Sequence, residues 1–430
     1  MHPFPLSRTL ILASILSLPA LAYAQDCGDF TTPTRFAAGD IPASVSLGDL
    51  DGDGDLDMVV ANFVSDDTSV LLNNGDGTFA AQTRYAAGDG AFSVSLGDLD
   101  GDGDLDMAVA NNNSNDTSVL LNNGDGTFAT QTRFATSDGP WSVSLGDLDG
   151  DDDLDMAVAN FDSDDTSVLL NNGDGTFAVQ THYAAGDRPV SVSLGDLDGD
   201  GDLDMAVANK NSNDTSVLLN NGDGTFAAQT RYAAGDIPAS VSLGDLDGDG
   251  DLDMAVANSN SNDTSVLLNN GDGTFATQTR FATGDGPRSV SLGDLDGDDD
   301  LDMAVANWGS DDTSVLLNNG DGTFAAPTRY AAGDRPRSVS LGDLDGDGDL
   351  DMAVANWGSD DDISVLLNRF PPPVPCRADM NQDGELDFFD ISTLLTAFAT
   401  QDCAADFTGD SVFDFFDIST FLTEFSAGCP

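Results

Sequence analysis

The sequence is dominated by one unit that is written seven times at a constant spacing. A run of five alternate aspartates begins at Asp49, and the same run begins again every 49 residues until Asp343. A repeat of about 20–50 residues is typical of propellers, solenoids and other arrays in which each unit packs against its neighbours. The chain must therefore fold as a series of equivalent units rather than around one central core.

Each unit contains four short segments of β type. In most copies they read "SVSLGDL", "DMAVAN", "TSVLLNN" and "GDGTFAAQTRYAA", and the Gly, Asn and Asp residues between them are typical of tight turns. No segment before residue 386 has a helical pattern. Four strands in each of seven units predict an all-β, seven-bladed β-propeller. An open β-solenoid is the alternative fold.

The two ends of the array predict how the ring closes. The last unit stops after "ISVLLN" (363–368) without an outer strand, whereas residues 28–40 match that missing strand and follow no unit of their own. We therefore expect residues 29–38 to pair with the last blade as its outer strand. This pairing would remove an open strand edge.

The aspartate runs have the spacing of a calcium-binding loop. In the first copy Asp49, Asp51 and Asp53 occupy positions one, three and five, and Asp55 offers its backbone carbonyl at position seven, as at the start of an EF-hand loop. Asp57 at position nine adds a fourth carboxylate. So many carboxylates would repel one another without a cation, and an oxygen-only ligand set favours Ca²⁺. The equivalent residues of the other copies are Asp98, Asp100, Asp102, Asp104 and Asp106; Asp147, Asp149, Asp151, Asp153 and Asp155; Asp196, Asp198, Asp200, Asp202 and Asp204; Asp245, Asp247, Asp249, Asp251 and Asp253; Asp294, Asp296, Asp298, Asp300 and Asp302; and Asp343, Asp345, Asp347, Asp349 and Asp351.

Two of the seven loops differ at position six, where the chain must turn sharply. Asp152 and Asp299 stand there in place of glycine. Aspartate tolerates a left-handed backbone better than most residues. We therefore expect about seven Ca²⁺ in the propeller, with weaker binding in these two loops.

The repeated units resemble FG-GAP or VCBS repeats, the units of the integrin α-subunit propeller. The motif "GDLDGDGDLDMAVAN" carries the resemblance, which covers residues 29–370. It implies loops that bind Ca²⁺ between the first two strands of each blade, and a ring closed by an N-terminal outer strand. The functions that it implies are adhesion, ligand binding and, more rarely, lyase activity.

Residues 1–24 have the features of a secretion signal. Arg8 precedes the apolar run "LILASILSLPALA", and Ala22-Tyr23-Ala24 fits a cleavage site. We expect a bacterial protein that is secreted or held at the cell surface, with the periplasm also open, and that does not span a membrane once the signal is removed. A retained membrane anchor is the alternative. The net charge of −62 disfavours nucleic acids and anionic membranes as partners, because these are also negatively charged.

After the propeller (25–370) and a Pro-rich linker (371–375), residues 376–430 form a second predicted domain. Two segments have the spacing of calcium loops, and each precedes a pattern typical of an amphipathic helix. The pair resembles a dockerin of the type that ends in Gly-Cys-Pro, which implies a cohesin-like module or a surface scaffold as partner. One or two further Ca²⁺ would bind to Asp379, Asn381, Asp383, Glu385 and Asp390, and to Asp406, Thr408, Asp410, Val412 and Asp417.

Two features of this second domain are left open. The second loop departs from the dockerin pattern at Thr408 and Ser411, so its Ca²⁺ binding is in question. The Phe-Phe pairs at 388–389 and 415–416 either belong to a core or form an exposed apolar patch.

The seven copies differ from one another mainly in two sets of loops. These are the loops entering the first strand (residues 41–43 in the first copy) and the loops after "DMAVAN", which begin at Phe63 in the first copy. By strand order both sets lie opposite the aspartate loops, on what we call the variable face. It collects all three Trp and the only Lys, and aromatic residues and Arg are enriched in binding surfaces. The predicted ligand-binding residues, densest in blades six and seven, are Phe63, Phe92, Trp141, Arg288, Trp308, Arg335, Arg337 and Trp357.

No combination of residues in the sequence points to catalysis. His182, the only His after the signal, stands where other copies carry Arg, and no Glu lies in the propeller. The predicted function is a secreted, calcium-dependent, non-catalytic module that binds a glycan or protein ligand and is tethered by the dockerin-like domain. Two alternatives are a structural spacer or surface-layer component, and a polysaccharide lyase.

The dockerin-like domain is expected to be cross-linked between its ends. Disulfides persist in oxidising compartments, and a bond between Cys376 and Cys429 suits a domain whose termini meet. Cys27 and Cys403 would be free or joined, since the four cysteines allow three full pairings. Peptide mapping without reduction should find Cys376 linked to Cys429, and a Cys376–Cys403 peptide would contradict this prediction.

Overall fold

The computed structural model describes residues 30–358, 361–369, 380, 388–400, 405 and 415–427. The chain divides into two compact units. One spans Gly28–Val374, and the other combines Met1–Cys27 with Pro375–Pro430. The predicted signal at 1–24, the linker at 371–375 and all four cysteines lie outside the described residues.

The larger unit confirms the predicted propeller. Seven antiparallel sheets of four strands form its blades, and in blades 1 to 6 the strands follow one another from the inner to the outer edge in chain order. The inner strands are Pro42–Gly48 (β2), Ala91–Gly97 (β6), Pro140–Gly146 (β10), Pro189–Gly195 (β14), Pro238–Gly244 (β18), Pro287–Gly293 (β22) and Pro336–Gly342 (β26). The second strands are Asp57–Asn62 (β3), Asp106–Asn111 (β7), Asp155–Asn160 (β11), Asp204–Asn209 (β15), Asp253–Asn258 (β19), Asp302–Asn307 (β23) and Asp351–Asn356 (β27).

The third and fourth strands complete each blade. The third strands are Asp67–Leu71 (β4), Asp116–Leu120 (β8), Asp165–Leu169 (β12), Asp214–Leu218 (β16), Asp263–Leu267 (β20), Asp312–Leu316 (β24) and Asp362–Leu366 (β28). The outer strands are Thr34–Ala37 (β1), Thr83–Ala86 (β5), Thr132–Ala135 (β9), Thr181–Ala184 (β13), Thr230–Ala233 (β17), Thr279–Ala282 (β21) and Thr328–Ala331 (β25). Blade 1 thus consists of β2–β5, and blade 7 of β26, β27, β28 and β1.

The hydrophobic core lies between neighbouring blades. Val59 and Ala61 of β3 pack against Val94, Met107 and Val109 of blade 2, and equivalent clusters fill the other gaps around the ring. The second strand of every blade is buried along its whole length. Apolar residues on both faces are expected of a strand that is covered on both sides, which explains the unbroken Met-Ala-Val-Ala run.

A side-chain amide links each blade to the blade before it. Asn122 Nδ2 of blade 2 donates to the Leu50 carbonyl of blade 1 at 2.9 Å and to the Leu105 carbonyl of its own blade at 3.1 Å. Because Leu50 lies inside an aspartate loop, these loops form part of the contact between blades. The amides that make this bond are those of Asn73, Asn122, Asn171, Asn220, Asn269, Asn318 and Asn368.

The N-terminal strand closes the ring, as predicted. β1 pairs antiparallel with β28, with Thr34 opposite Val365, and the Thr31 amide donates to the Leu367 carbonyl at 2.8 Å. Phe30 also lies edge-on to Tyr330 of blade 6 at 5.2 Å between ring centroids. Elsewhere in the ring, an equivalent aromatic contact joins the outer strand of one blade to the hairpin of the next, as between Tyr85 and Phe128. The N-terminal segment therefore supplies the part that the last repeat lacks.

The smaller unit contains two described helices, Phe388–Thr400 (α1) and Phe415–Ala427 (α2), which follow the two predicted loops. Asp390 and Asp417 are buried, and Leu394 and Phe421 belong to a small apolar cluster. Three side chains of the Phe-Phe pairs, those of Phe389, Phe415 and Phe416, are 64%, 74% and 66% exposed, which supports the patch rather than the core. The other eight predicted calcium ligands of this domain lie outside the described residues: Asp379, Asn381, Asp383, Glu385, Asp406, Thr408, Asp410 and Val412.

Within the described parts of the chain, no helix has both the length and the apolar character needed to cross a membrane.

A chain that lacks residues 25–37 should lose the closure of the ring. Its β28 would present an unpaired edge, and such edges promote association between chains. We expect a lower melting temperature and soluble oligomers by light scattering. Phe281→Ala is the control. Phe281 makes the same ring contact with Phe324 as Phe36 makes with Phe79. However, the strand of Phe281 follows the third strand of its own blade directly in the chain, whereas β1 does not. This control should keep the light scattering of the intact chain. A truncated chain that is monomeric and melts normally would show that β1 does not close the ring.

Candidate functional site

The aspartate loops connect the first and second strands of each blade, as the family resemblance implies. In blade 1, Asp49 organises the loop, because its two carboxylate oxygens accept hydrogen bonds from the amides of Gly52 at 2.8 Å and Gly54 at 3.1 Å. These bonds wrap the backbone around the carboxylate. The loop consequently places carboxylate oxygens of Asp49, Asp51 and Asp53 within 4.8 Å of one another.

Asp57, the predicted ligand at position nine, is buried at the base of the loop. Its side chain is 1% exposed and accepts hydrogen bonds from the amides of Leu50 at 2.9 Å and Asn73 at 2.7 Å. Burial raises the pKa of Asp57 to about 6 despite these two bonds. In blade 2 the equivalent Asp106 lies within 4.8 Å of the carboxylates at positions one and three. Position nine therefore belongs to the same cluster.

One carboxylate oxygen in every loop is buried without a hydrogen-bond partner among the described residues. In blade 1 it is Oδ1 of Asp51, whose pKa is raised by burial and by the neighbouring carboxylate of Asp53. An unpaired carboxylate oxygen among like charges is costly unless a cation compensates it. A hard cation such as Ca²⁺ fits this donor set of oxygens. The same atom is left unpaired in Asp51, Asp100, Asp149, Asp198, Asp247, Asp296 and Asp345.

The two loops with aspartate at position six keep the same backbone. Asp152 and Asp299 have φ values of 72° and 70°, in the left-handed region that Gly54 also adopts. The Asp152 amide donates to Oδ2 of Asp147 at 3.0 Å, which repeats the bond made by Gly54. The substitution thus preserves the fold of the loop, and the weaker binding that we expect there stays a prediction.

The variable face is built from loops that are fixed by contacts between blades. Gly90, which precedes the inner strand of blade 2, donates its amide to Asp66 of blade 1 at 2.7 Å. At the equivalent position Ile41 and Ile237 both have a φ of 59°. Such a conformation is an outlier for a β-branched residue, and strain of this kind is often found at functional sites.

At the centre of the variable face, one residue from each inner strand lies at the mouth of the central channel. In blade 1 it is Ala43, where a β-bulge between Pro42 and Ser44 shifts the register. We call the seven equivalent residues the mouth ring. They are Ala43, Phe92, Trp141, Val190, Ala239, Arg288 and Arg337.

Aromatic and cationic side chains form one network across this mouth. The guanidinium carbon of Arg337 lies 4.1 Å from the ring centroid of Phe92, 4.9 Å from that of Trp357 and 5.5 Å from that of Trp141. Trp141 in turn stacks on Phe161 at 4.5 Å. Residues of blades 2, 3 and 7 thereby come together around one guanidinium group.

A recess opens on the side of the mouth ring where the side chains are small. The small residues Val190 and Ala239 line it together with Trp141, Lys210, Arg288 and Arg337. Its volume is about 230 Å³, including the part open to solvent. Burial and the charge of Arg288 lower the pKa of Arg337 to about 9. Burial, Arg288 and Arg337 also lower the pKa of Lys210. The recess is therefore lined by cations that are partly removed from water.

The structure brings the eight predicted ligand-binding residues into this network. Phe63 contacts Phe92 and Trp357 at 5.6 and 5.2 Å, and Trp308 contacts Trp357 at 5.9 Å. Arg288 and Arg335 lie 5.2 and 5.7 Å from the centroid of Trp308. Five of the eight belong to blades six and seven, whereas the residues that line the recess come from blades three to seven.

The sequence-based list omitted three members of the network. Phe161 stacks on Trp141, and Arg188 and Lys210 lie 4.8 and 5.4 Å from the centroid of Phe161. Each stands at one of the two variable loop positions, and comparison of the copies did not single them out.

His182 has a local role that its sequence position did not reveal. Its Nδ1 lies 2.8 Å from Oγ of Ser137, which in turn donates to Oδ2 of Asp165 at 3.2 Å. Both partners face the same ring nitrogen, at 2.8 Å and 3.7 Å. A triad for nucleophilic catalysis would place the carboxylate on the opposite nitrogen, so this cluster replaces the Arg–Asp pair of other blades.

Comparison with protein families identifies the repeats. A family model described as FG-GAP-like repeat matches six overlapping ranges that together cover most of the propeller: 49–109, 98–158, 147–207, 196–256, 245–305 and 298–354. A search of curated protein sequences finds no match.

Solved structures share the fold at low sequence identity. One is BBS1N in complex with ARL6DN, soaked with lead, which is 12% identical with a TM-score of 0.58 and covers 80% of this chain and 98% of its own. Another is a lectin of Agrocybe aegerita that recognises non-reducing terminal N-acetylglucosamine; it is 23% identical with a TM-score of 0.50 and covers 79% of this chain and 86% of its own.

Proposed function

The chain belongs to the FG-GAP-like repeat family, and from this premise we propose that it is a secreted, non-catalytic module whose variable face binds a glycan or protein ligand. Calcium in the aspartate loops would hold the ring together. The dockerin-like domain would attach the protein to a cohesin-like module or a surface scaffold.

The observation that carries the proposal is the difference between the two faces of the propeller. The aspartate loops and hairpins repeat the same contacts in blade after blade, as the asparagine–leucine bonds show. The variable face instead gathers a single set of aromatic and cationic residues around one recess. A structural spacer needs no such set, whereas concentrated aromatic and Arg residues are typical of binding sites.

Calcium suits the aspartate loops because it would neutralise the unpaired oxygens described above. The loop residue Leu50 also accepts the amide of Asn122 from the next blade. A cation that fixes the loop would therefore stabilise the contact between blades as well. This role is structural, and it leaves the variable face free for a ligand.

The structural neighbours support binding rather than a particular ligand. One of them is described as recognising a sugar, and another is described in a complex with a protein. Both share only the fold with this chain. We therefore take glycans and proteins as the two ligand classes to test.

The exposed Phe389, Phe415 and Phe416 support the proposed tether. Apolar side chains at the start of both helices would give the dockerin-like domain a duplicated contact surface. Its partner would then recognise apolar rather than polar residues.

Chelation should destabilise the propeller. We expect a melting temperature that falls in EDTA and rises with Ca²⁺ by mass action, with affinities of about 10⁻⁴–10⁻³ M, as in extracellular modules. Asp51→Asn should reduce the number of bound Ca²⁺ by one in calorimetry, because it removes a carboxylate from one loop. Asp89→Asn removes the same charge from an exposed position on the variable face and should leave the number unchanged. Melting that is indifferent to EDTA would contradict the proposal.

Loss of the indoles should weaken ligand binding. Glycan and protein arrays, probed with and without Ca²⁺, would supply the ligand. Trp308→Ala and Trp357→Ala should each lower its affinity about thirtyfold, the effect of losing an aromatic anchor of about 2 kcal/mol, without altering Ca²⁺-dependent melting. Val179→Ala is the control, since Val179 is 92% exposed between a hairpin of the aspartate-loop face and β13. Equal effects of all three changes would indicate that the propeller is only a spacer.

A further inference from the structure

We propose that the ligand is an acidic sugar, and that Arg288, Arg337 and Lys210 receive its carboxylate or sulfate group in the recess of the mouth ring. This inference rests on the proposed binding function and adds the chemical class of the ligand.

The cations of the variable face lack the carboxylate partners that the outer-strand arginines have. On the outer strands, Arg231 pairs with Asp214 and Arg280 with Asp263, and the remaining outer-strand arginines are paired in the same way. No described carboxylate forms an ion pair with any of the five cations of the variable face. These are Arg188, Lys210, Arg288, Arg335 and Arg337.

Two of the three cations of the recess also have unused hydrogen-bond donors. The Nε–H groups of Arg288 and Arg337 are buried and find no acceptor among the described residues. Burial lowers the pKa of Arg288, Arg337 and Lys210. Buried donors normally have partners, and removing an unpaired cation from water is costly. An anion in the recess would supply both the missing acceptor and the missing charge.

Closing the mouth does not require these cations. At the same ring position Ala43 and Ala239 follow the same bulge in their strands as Arg288 and Arg337 do. An apolar residue is therefore compatible with this backbone. The two adjacent arginines are a feature of one side of the mouth rather than a condition for the fold.

The aromatic residues hold the guanidinium groups in place. Arg337 lies against Phe92, Trp141 and Trp357, so these rings position its planar head through cation–π contacts. A guanidinium fixed in this way can offer paired donors to a carboxylate or sulfate. The recess therefore offers cationic groups in addition to aromatic rings.

An acidic sugar fits the mixture of groups around the recess. A uronic acid or a sulfated sugar carries its anionic group on the same ring as an apolar C–H face. The half-buried indoles of Trp308 and Trp357 lie in the same network as the cations, so the indoles would contact the C–H face while the cations bind the anionic group. The net charge of −62 would repel a long polyanion from the rest of the protein. The recess therefore suits a single anionic group better than a highly charged polymer.

The intrinsic fluorescence of the protein provides a direct assay. All three Trp of the chain, Trp141, Trp308 and Trp357, belong to the network at the mouth. Binding should consequently change the emission of the full-length, Ca²⁺-loaded protein, and calorimetry would give the affinity. The probes are trigalacturonate for the carboxylate, sulfated lactose for the sulfate, lactose as the neutral sugar, and triglutamate as an acidic peptide.

We expect at least one acidic sugar to bind at least about tenfold more tightly than lactose, because each charge-assisted hydrogen bond adds to the free energy of binding. Arg288→Gln and Lys210→Gln should each reduce this binding about tenfold, and Arg337→Gln at least as much. Arg337→Lys keeps the charge but not the paired donors and should restore only part of the affinity. Arg231→Gln removes one positive charge from the outer rim and should have no effect.

Three results would overturn the inference. The first is equal binding of lactose and the acidic sugars. The second is acidic-sugar binding that survives both Arg288→Gln and Lys210→Gln in proteins that melt normally. The third is no response to either acidic sugar up to about 10 mM, the weak limit of useful affinity. Stronger binding of triglutamate would point to a peptide instead. If an array ligand depends on Trp308 and Trp357 but not on the cations, the proposed function stands and only this inference fails.

Discussion

The contact between neighbouring blades is the interaction on which the rest of this propeller depends. Each blade is a sheet that covers its apolar residues only when another sheet lies on either side of it. The core clusters accordingly join residues of two blades, such as Val59 and Val94. At the aspartate-loop face, the bond from Asn122 to the Leu50 carbonyl adds a polar link across the same gap. Stability therefore depends on closing the whole ring, which the N-terminal strand completes.

Because the ring depends on contacts between blades, the two faces differ in how freely their sequence can vary. The aspartate loops lie at the contact between blades, so changing one of them would disturb its neighbour. The hairpin glycines show the same restriction, since a Cβ atom at Gly126 would come within 2.9 Å of Leu72 in blade 1. At the opposite face the loop backbone is fixed by bonds such as that from Gly90 to Asp66, and the side chains that meet at the mouth differ from blade to blade. Variation is tolerated there, and a binding site can develop without weakening the ring.

Repetition made the fold of this chain predictable from the sequence. The spacing of the aspartate runs predicted the blades, and the mismatched ends predicted the closure by β1, because both follow from local pattern and strand order.

The contacts between side chains across the mouth were harder to predict. Arg337 starts in blade 7 and reaches rings of blades 2 and 3, a contact that depends on the diameter of the ring and on the length of the side chain. Lys210 likewise contacts Trp141 and Phe161 of the preceding blade. The sequence shows that His182 replaces an Arg, but it does not reveal the contact of His182 with Ser137, which replaces a glycine of the other copies.

The distribution of positive charge gives the clearest physical reason to look for a ligand at the mouth. In a chain with 76 acidic and 14 basic side chains, a carboxylate is available to almost any cation, and the outer-strand arginines all use one. Leaving Arg288 and Arg337 side by side without a carboxylate costs free energy through both repulsion and lost hydration. Their positions tolerate alanine in other blades, so packing alone does not account for that cost. An anionic ligand would offset it, and the strain in the free protein would then contribute to the affinity of the complex.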